Sequence, residues 1–154
     1  MKKVVFASSS GGHLSEILKL EKLFLEYNYL LVTEKTDITT RLTNKYNMDF
    51  FKYGPSRNIF KYVYSVIYNI FKSIKIVTNF KPDTVISTGA QVGGIMCFIA
   101  KIFGKKVIYI ESLAKVKTLS ATGKLTYLFA DKFYVQWENL AKLYDKAEYL
   151  GRLM

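Results

Sequence analysis

The chain has 154 residues, half of them apolar, with one cysteine, one histidine and a formal net charge of +11. That size holds one domain with a real core (1–154), and the composition excludes a disordered chain, an internal disulfide and a zinc site built from cysteine and histidine. The basic excess suits an anionic partner, whether nucleic acid, a phosphate-bearing ligand or an anionic membrane, or else a solvated lysine-rich surface.

Helical and extended patterns alternate along the chain. "KVVFA" (3–7) reads as a short buried strand. After "MKK" its apolar run is too short for a signal peptide, so a cytoplasmic protein is expected. Helical spacing follows over 13–25, with Leu14, Ile17, Leu18, Phe24 and Leu25 on one face and Glu21 falling inside it. "YLLVTE" (29–34) is a second strand, "ITTRLTNKY" (38–46) a weaker helix, and "MDFFKYG" (48–54) a third strand closed by Gly54-Pro55. A long helix is predicted over 58–80, ended by Lys81-Pro82-Asp83. "TVIST" (84–88) is a fourth strand, 89–94 a glycine-rich turn, and 94–103 a helix stopped by Gly104. The uncharged run 84–100 carries Gly89, Gly93, Gly94 and Gln91 and is slightly short for a membrane span. Cys97 within it reads as a buried structural thiol. The remaining elements are a strand (106–112), a helix (125–130), a strand (132–136) and a last helix (138–147). This alternation predicts an α/β fold, a Rossmann-like parallel sheet with helices on both faces. Ligands of such sheets sit beyond the carboxyl ends of the strands, at the switch point of strand order.

Two glycine-rich loops fall at such ends. "SSSGGH" (8–13) follows the first strand, and "STGAQVGG" (87–94) the fourth. Gly11 and Gly12 permit close approach to the main chain, and the helix beyond offers unpaired N–H groups to a phosphate. Ser8, Ser9 and Ser10 add hydroxyls. The first loop is neither a dinucleotide fingerprint nor a P-loop, and a plain tight turn explains it as well as a phosphate cradle. The second loop favours the cradle, with Ser9, Ser10, Gly11, Gly12, Gly89, Gly93 and Gly94 as binding residues. His13 and Glu111, at a loop end and a strand end, are either polar members of that site or caps.

The 58–80 helix contains no acid. Ile59, Val63, Val66, Ile67, Ile70, Ile74 and Val77 share a face and are predicted to be core. Beside them run Phe60, Tyr64, Tyr68 and Phe71, with Lys61, Lys72 and Lys75 around them. Aromatics bordered by lysines suit the headgroup level of an anionic bilayer. A wide core helix is the plain alternative, and nucleic acid ranks below both because the aromatics lie on a helix.

Three stretches, "FASSSGGHLSEILKL", "DTVISTGAQVGGIMCFIAKIFGKKVIYIES" and "ADKFYVQWENL", resemble the acceptor-side subunits of two-chain GT-B glycosyltransferases. These include the accessory subunit of eukaryotic dolichol-linked chitobiose synthase and bacterial capsule and exopolysaccharide proteins of the PssD/EpsE/CpsF type. The family is in turn similar to the amino-terminal half of the GT-B enzyme that adds GlcNAc to lipid I. The resemblance implies an acceptor-diphosphate site at Ser10–His13 and the second glycine loop, membrane contact through the aromatic helix, and a strand-end glutamate at Glu111. Eukaryotic members begin with a transmembrane anchor, and none is expected here.

The expectation is an acceptor-binding, membrane-docking subunit working with a separate donor-binding chain on a polyprenyl-diphosphate-linked saccharide. It would sit peripherally on the inner face of the plasma membrane and need no cofactor, metal or nucleic acid. His13 would be general base or diphosphate ligand, because imidazoles as a class titrate near neutral pH. A GT-B cleft needs a second domain, so Trp137, Tyr149, Leu150, Leu153 and Met154 are expected at the partner contact. The rival readings are a non-catalytic scaffold and a free-standing nucleotide-binding protein.

Overall fold

Residues 1–54 and 57–153 are described by the computed structural model. Seven strands form one sheet: β1 (Lys3–Ser8), β2 (Asn28–Glu34), β3 (Met48–Phe51), β4 (Thr84–Gly89), β5 (Lys106–Ile110), β6 (Lys132–Val135) and β7 (Ala147–Tyr149). Their order is β3-β2-β1-β4-β5-β6-β7, with every neighbouring pair parallel. The helices are α1 (Gly12–Leu18), α2 (Glu21–Phe24), α3 (Asp37–Thr40), α4 (Ile59–Phe80), α5 (Ala90–Ile102), α6 (Ala121–Tyr127) and α7 (Glu138–Leu143). This is the Rossmann-like fold that the alternation predicts. The order reverses between β1 and β4, so the loops leaving those strands flank the switch point.

Several elements differ from expectation in extent. The predicted 13–25 helix divides into α1 and α2, with a turn between them in which Leu20 N–H bonds Ile17 O. The weak helix becomes α3, capped reciprocally by Thr36 and Thr39, and a 3₁₀ turn over Arg41–Asn44. Helix α6 starts at the Ser120 cap, five residues before the apolar run that signalled it. Strand β7 is only three residues long and falls at the end of what reads as the last helix. Pro55, expected to close β3, lies outside the described residues.

Period-two alternation sorts the strand side chains onto two cores. Val5, Ala7, Val32, Phe51, Val85, Val107, Tyr109, Phe133 and Val135 pack with α4 and α5 on one face. Val4, Phe6, Leu31 and Ile86 pack with Leu14, Ile17 and Phe24 on the other. Cys97 is wholly buried and its thiol is pushed up to about 12 by that burial, which keeps it a neutral packing group.

Helix α4 is turned from its predicted orientation. Ile59, Val63 and Ile67, expected in the core, are exposed, whereas Ser65, Asn69 and Ser73 are buried with Ile76 and Val77. The reason is close approach and hydrogen bonding. Ser65 lies directly against Gly54. Asn69 accepts from the Lys52 N–H at 2.8 Å and donates to the Lys52 carbonyl at 3.0 Å, completing the backbone pairing of the chain as it leaves β3. Ser73 bonds back to the Asn69 carbonyl. Small polar side chains thus seat the helix where isoleucines would hold it away. Replacing Asn69 with alanine removes both bonds and leaves space in the packing; we expect a loss of about 1–3 kcal/mol in urea-unfolding free energy with the fold retained.

Candidate functional site

At the carboxyl end of β1 the chain is tied down on both sides. Ser9 N–H bonds the Gly89 carbonyl at 3.3 Å, and Ser9 Oγ accepts the Val92 N–H from the first turn of α5. Ser10 N–H and Oγ–H both donate to Glu34 Oε2, at 2.8 and 2.7 Å, from the end of β2. Ser10 is therefore committed to holding the loop and Ser9 Oγ accepts from α5, while the buried Ser8 Oγ has no partner among the described residues. What the loop leaves open is backbone. Gly11 has φ 84°, a left-handed value that favours glycine, and a Cβ on Gly11 or Gly12 would meet nothing within 4 Å. Helix α1 begins there without a side-chain cap and without an acid in its first turn, and α5 begins beside it at Gly89 in the same manner. Two helix N-termini thus face one crevice, each a source of positive potential.

His13 joins the two loops. Its Nδ1 stands 2.8 Å from the Thr88 carbonyl, while Thr88 Oγ1–H donates to the His13 carbonyl at 2.7 Å. A carbonyl only accepts, so Nδ1 carries the proton and Nε2 of the neutral ring is left with a free lone pair. The side chain is 28% exposed, and Glu16 Oε2 lies 3.9 Å from Nδ1. Gly89, at φ 106°, has no room for a side chain: a Cβ would sit 2.5 Å from the Tyr109 hydroxyl and 3.6 Å from His13 Cε1.

Three expected site residues stand elsewhere. Glu111 does not point into the crevice: it is 0% exposed, and its carboxylate accepts from Ser112 N–H at 2.9 Å and from Ser120 N–H and Oγ–H at 2.9 and 3.1 Å. It fastens the 112–120 loop to the cap of α6, the capping role left open by the sequence. Gly93 and Gly94 lie inside α5, which begins at Ala90 and not after the glycines. Gly93 is packed against Ser87 and the Ala7 carbonyl, and a Cβ on Gly94 would come within 2.7 Å of Thr122 Cγ2. Both serve helix packing. Glu16 and Glu34 are the carboxylates at this site that the sequence reading missed. Glu16 was signalled by sharing a helix face with His13 at i+3, and Glu34 by ending a buried strand.

Residues 4–153 match the family model "Oligosaccharide biosynthesis protein Alg14 like". The chain belongs to that Alg14-like family. UDP-N-acetylglucosamine transferase subunit ALG14 of Homo sapiens is 29% identical over 178 residues, covering 98% of this chain and 82% of the relative. The subunit of the same name from Schizosaccharomyces pombe is 30% identical, covering 92% and 79%. Among solved structures, Acinetobacter baumannii MurG superposes with a TM-score of 0.77 at 17% identity, a likeness of fold that covers 99% of this chain and 45% of MurG.

Two outer surfaces of this Alg14-like chain are the ones that the sequence reading assigned to a membrane and to a partner chain. Along α4, Phe60 (85% exposed), Tyr64, Tyr68 and Phe71 (68%) face outward, joined by the displaced Ile59, Val63 and Ile67. Lys61 and Lys75 are exposed; Lys72 is paired with Asp49 at 2.6 Å. Lys52 adds a further cation, 4.3 and 4.9 Å from the Tyr64 and Tyr68 ring centres. A groove of about 440 Å³ lined by Leu30, Tyr68, Phe71, Lys75 and Phe80 runs beside the stripe. Among the described residues no helix is long and apolar enough to cross a membrane, and no cluster of three metal-ligating side chains occurs.

The carboxyl-terminal segment is the second surface. Trp137 is not a free anchor: its Nε1–H donates to the Leu113 carbonyl at 2.7 Å, its ring packs on the core, and the Arg152 guanidinium lies 3.9 Å above it. Leu153 N–H donates to Gln136 Oε1 at 2.8 Å, which lays the tail across a cleft lined by Ile110 and Tyr134. Tyr149 and Leu150 remain exposed, and Met154 lies outside the described residues.

Glu111→Gln tests the structural assignment. The amide presents two donors where the carboxylate accepts three bonds, so one N–H or O–H of Ser112 or Ser120 loses its partner. We expect about 1–3 kcal/mol of destabilisation by chemical denaturation, and a function that falls only as the folded fraction falls.

Proposed function

We propose that the chain is the acceptor-binding and membrane-docking subunit of a two-chain glycosyltransferase. The complex moves a sugar from a nucleotide sugar to a polyprenyl-diphosphate-linked saccharide. The observation that carries this reading is the imidazole of His13, locked by Thr88 with its free nitrogen beside two helix N-termini. The names of the relatives support it, because each is called a UDP-N-acetylglucosamine transferase subunit, which makes UDP-GlcNAc the first donor to try. Capsule or exopolysaccharide assembly on the inner face of the plasma membrane is the setting suggested by the sequence resemblance.

In this scheme the acceptor diphosphate lies over Gly11, Gly12 and Gly89, against the unpaired N–H groups of α1 and α5. His13 Nε2 accepts the proton of the acceptor hydroxyl as its oxygen attacks the anomeric carbon of the donor. The bond from that carbon to the nucleoside diphosphate breaks, and the diphosphate leaves on the partner chain, which supplies the donor half of the cleft. The proton held on His13 then passes to solvent. Tyr149, Leu150 and Leu153 form the apolar end presented to that partner, and the stripe from Phe60 to Lys75 meets the bilayer.

Reconstitution with the donor-binding chain, on membranes carrying a lipid-linked acceptor, tests the chemistry. The isolated chain should transfer nothing, the pair should transfer, and His13→Ala should cut the rate about 10²- to 10⁴-fold, far more than the small fall in thermal midpoint from the lost bond to Thr88 accounts for. Transfer by this chain alone overturns the two-chain reading. Undiminished transfer by the alanine variant removes His13 from the chemistry and favours a scaffold.

Membrane docking has its own test in flotation with anionic vesicles. Several lysines near such a surface contribute about 1 kcal/mol each and are screened by salt. The parent should float at low salt and come off as salt rises. A variant with Phe60, Tyr64 and Phe71 changed to serine and Lys61 and Lys75 to glutamine should stay unbound at every salt concentration. Equal binding by the variant would make the stripe a protein contact.

A further inference from the structure

One carboxylate oxygen in the crevice has no hydrogen-bond partner. Glu16 Oε1 accepts from Ser112 Oγ–H at 3.0 Å and from Leu113 N–H at 2.8 Å. Glu16 Oε2 is buried and accepts from nothing among the described residues. It lies 3.9 Å from His13 Nδ1, on the side of the ring away from the free nitrogen. A buried oxygen with vacant lone pairs is costly unless a positive group comes to face it.

We infer that Glu16 is the positioning residue for His13, holding its imidazole in place and steadying the charge that appears there when Nε2 takes a proton. The inference rests on the general-base reading above. When the acceptor hydroxyl gives its proton to Nε2, the ring becomes a cation with an N–H at both nitrogens. The Nδ1–H then lies between the Thr88 carbonyl, which fixes its direction, and Glu16 Oε2, which supplies the opposite charge. A carboxylate at this distance favours the protonated ring. Because its other oxygen is anchored to Ser112 and Leu113, Glu16 cannot swing away without breaking the loop that Glu111 fastens beneath it.

The other groups around the ring do not supply that charge. Thr88 contributes a carbonyl from the end of β4. Tyr109, from β5, brings its hydroxyl to the same glycine that His13 touches. Burial, reinforced by the negative Glu111, pushes that phenol far up, so it stays neutral. Glu34, from β2, is occupied by Ser10. Glu16 is the acid whose free oxygen faces the imidazole.

His13 is the one histidine of the chain, so its ring proton resonance can be followed through a pH titration without assignment. Glu16→Gln keeps an acceptor for Ser112 and Leu113 and removes only the charge. Glu16→Asp keeps the charge and loosens those two bonds. If Glu16 acts on the ring, the glutamine variant's imidazole gives up its proton more readily than the parent's, and the aspartate variant lies closer to the parent. In the reconstituted pair, the acid limb of the rate profile moves by the same amount in the glutamine variant, and its plateau falls about 3- to 10-fold as the base weakens. Identical titrations in the parent and the glutamine variant overturn the inference and confine Glu16 to holding the loop. A displaced titration with a fully active His13→Ala complex overturns instead the base reading, and with it any part for Glu16 in the reaction. Thermal midpoints of the three proteins show that folded states are compared.

Discussion

Where β1 and β4 lie side by side, the chain leaves the sheet twice in the same direction, and both exits turn at once into helices. No other neighbouring pair in the sheet joins strands whose connections run off to opposite sides in this way. The two exits are then bound to each other: Ser9 to Gly89 and Val92, His13 to Thr88 in both directions. Moving either loop breaks bonds in the other. Tyr109 beneath Gly89 fills the floor, so the two turns keep one height above the sheet. The start of α1, the start of α5 and an oriented imidazole are thereby held together.

Buried polar side chains do the fastening around this centre, and each does it for backbone. Glu34 holds the β1 loop, Glu111 holds the 112–120 loop, and Asn69 holds the exit of β3. Two of them are carboxylates that accept from N–H or O–H groups, which is the arrangement in which a buried charge is stabilised, since such bonds are about twice as strong as neutral ones. Loops built this way are tied down by bonds that take up the N–H and hydroxyl of Ser10 and of Ser120. In the proposed scheme the ligand meets main chain instead, at the first turn of α1 and at the start of α5 ahead of Val92, whose N–H is held by Ser9.

The fold was legible because a parallel sheet buries its strands on both faces and its helices on one, so period and length separate them clearly. The switch-point loops followed from strand order alone. What escaped was decided by shape and by partners distant in sequence. The orientation of α4 turns on Ser65, Asn69 and Ser73, which look solvent-facing until Gly54 and the Lys52 backbone are brought against them. Gly93 and Gly94 look like a loop because glycine is rare in helices, and they stand inside α5 because Ser87 and Thr122 leave no room there for a side chain. Glu111 looks like a catalytic strand end until residues 112–120 fold back onto it. Trp137 looks like an interface anchor and is instead bonded to Leu113, 24 residues earlier.

The same connections join the tail of the chain to the crevice. Leu153 bonds Gln136, Gln136 Nε2–H donates to the Glu111 carbonyl, and the Glu111 carboxylate holds Ser112. Ser112 in turn donates to Glu16, which faces His13. Trp137 makes a shorter version of the link through Leu113, whose N–H reaches Glu16 and whose carbonyl takes the indole. Every step except the last is a direct hydrogen bond between groups wholly or partly withdrawn from water, where such bonds are least easily exchanged for solvent. The tail of the chain is thus joined to the loop that anchors Glu16, by bonds that run almost wholly within the stretch between β5 and the end of the described residues.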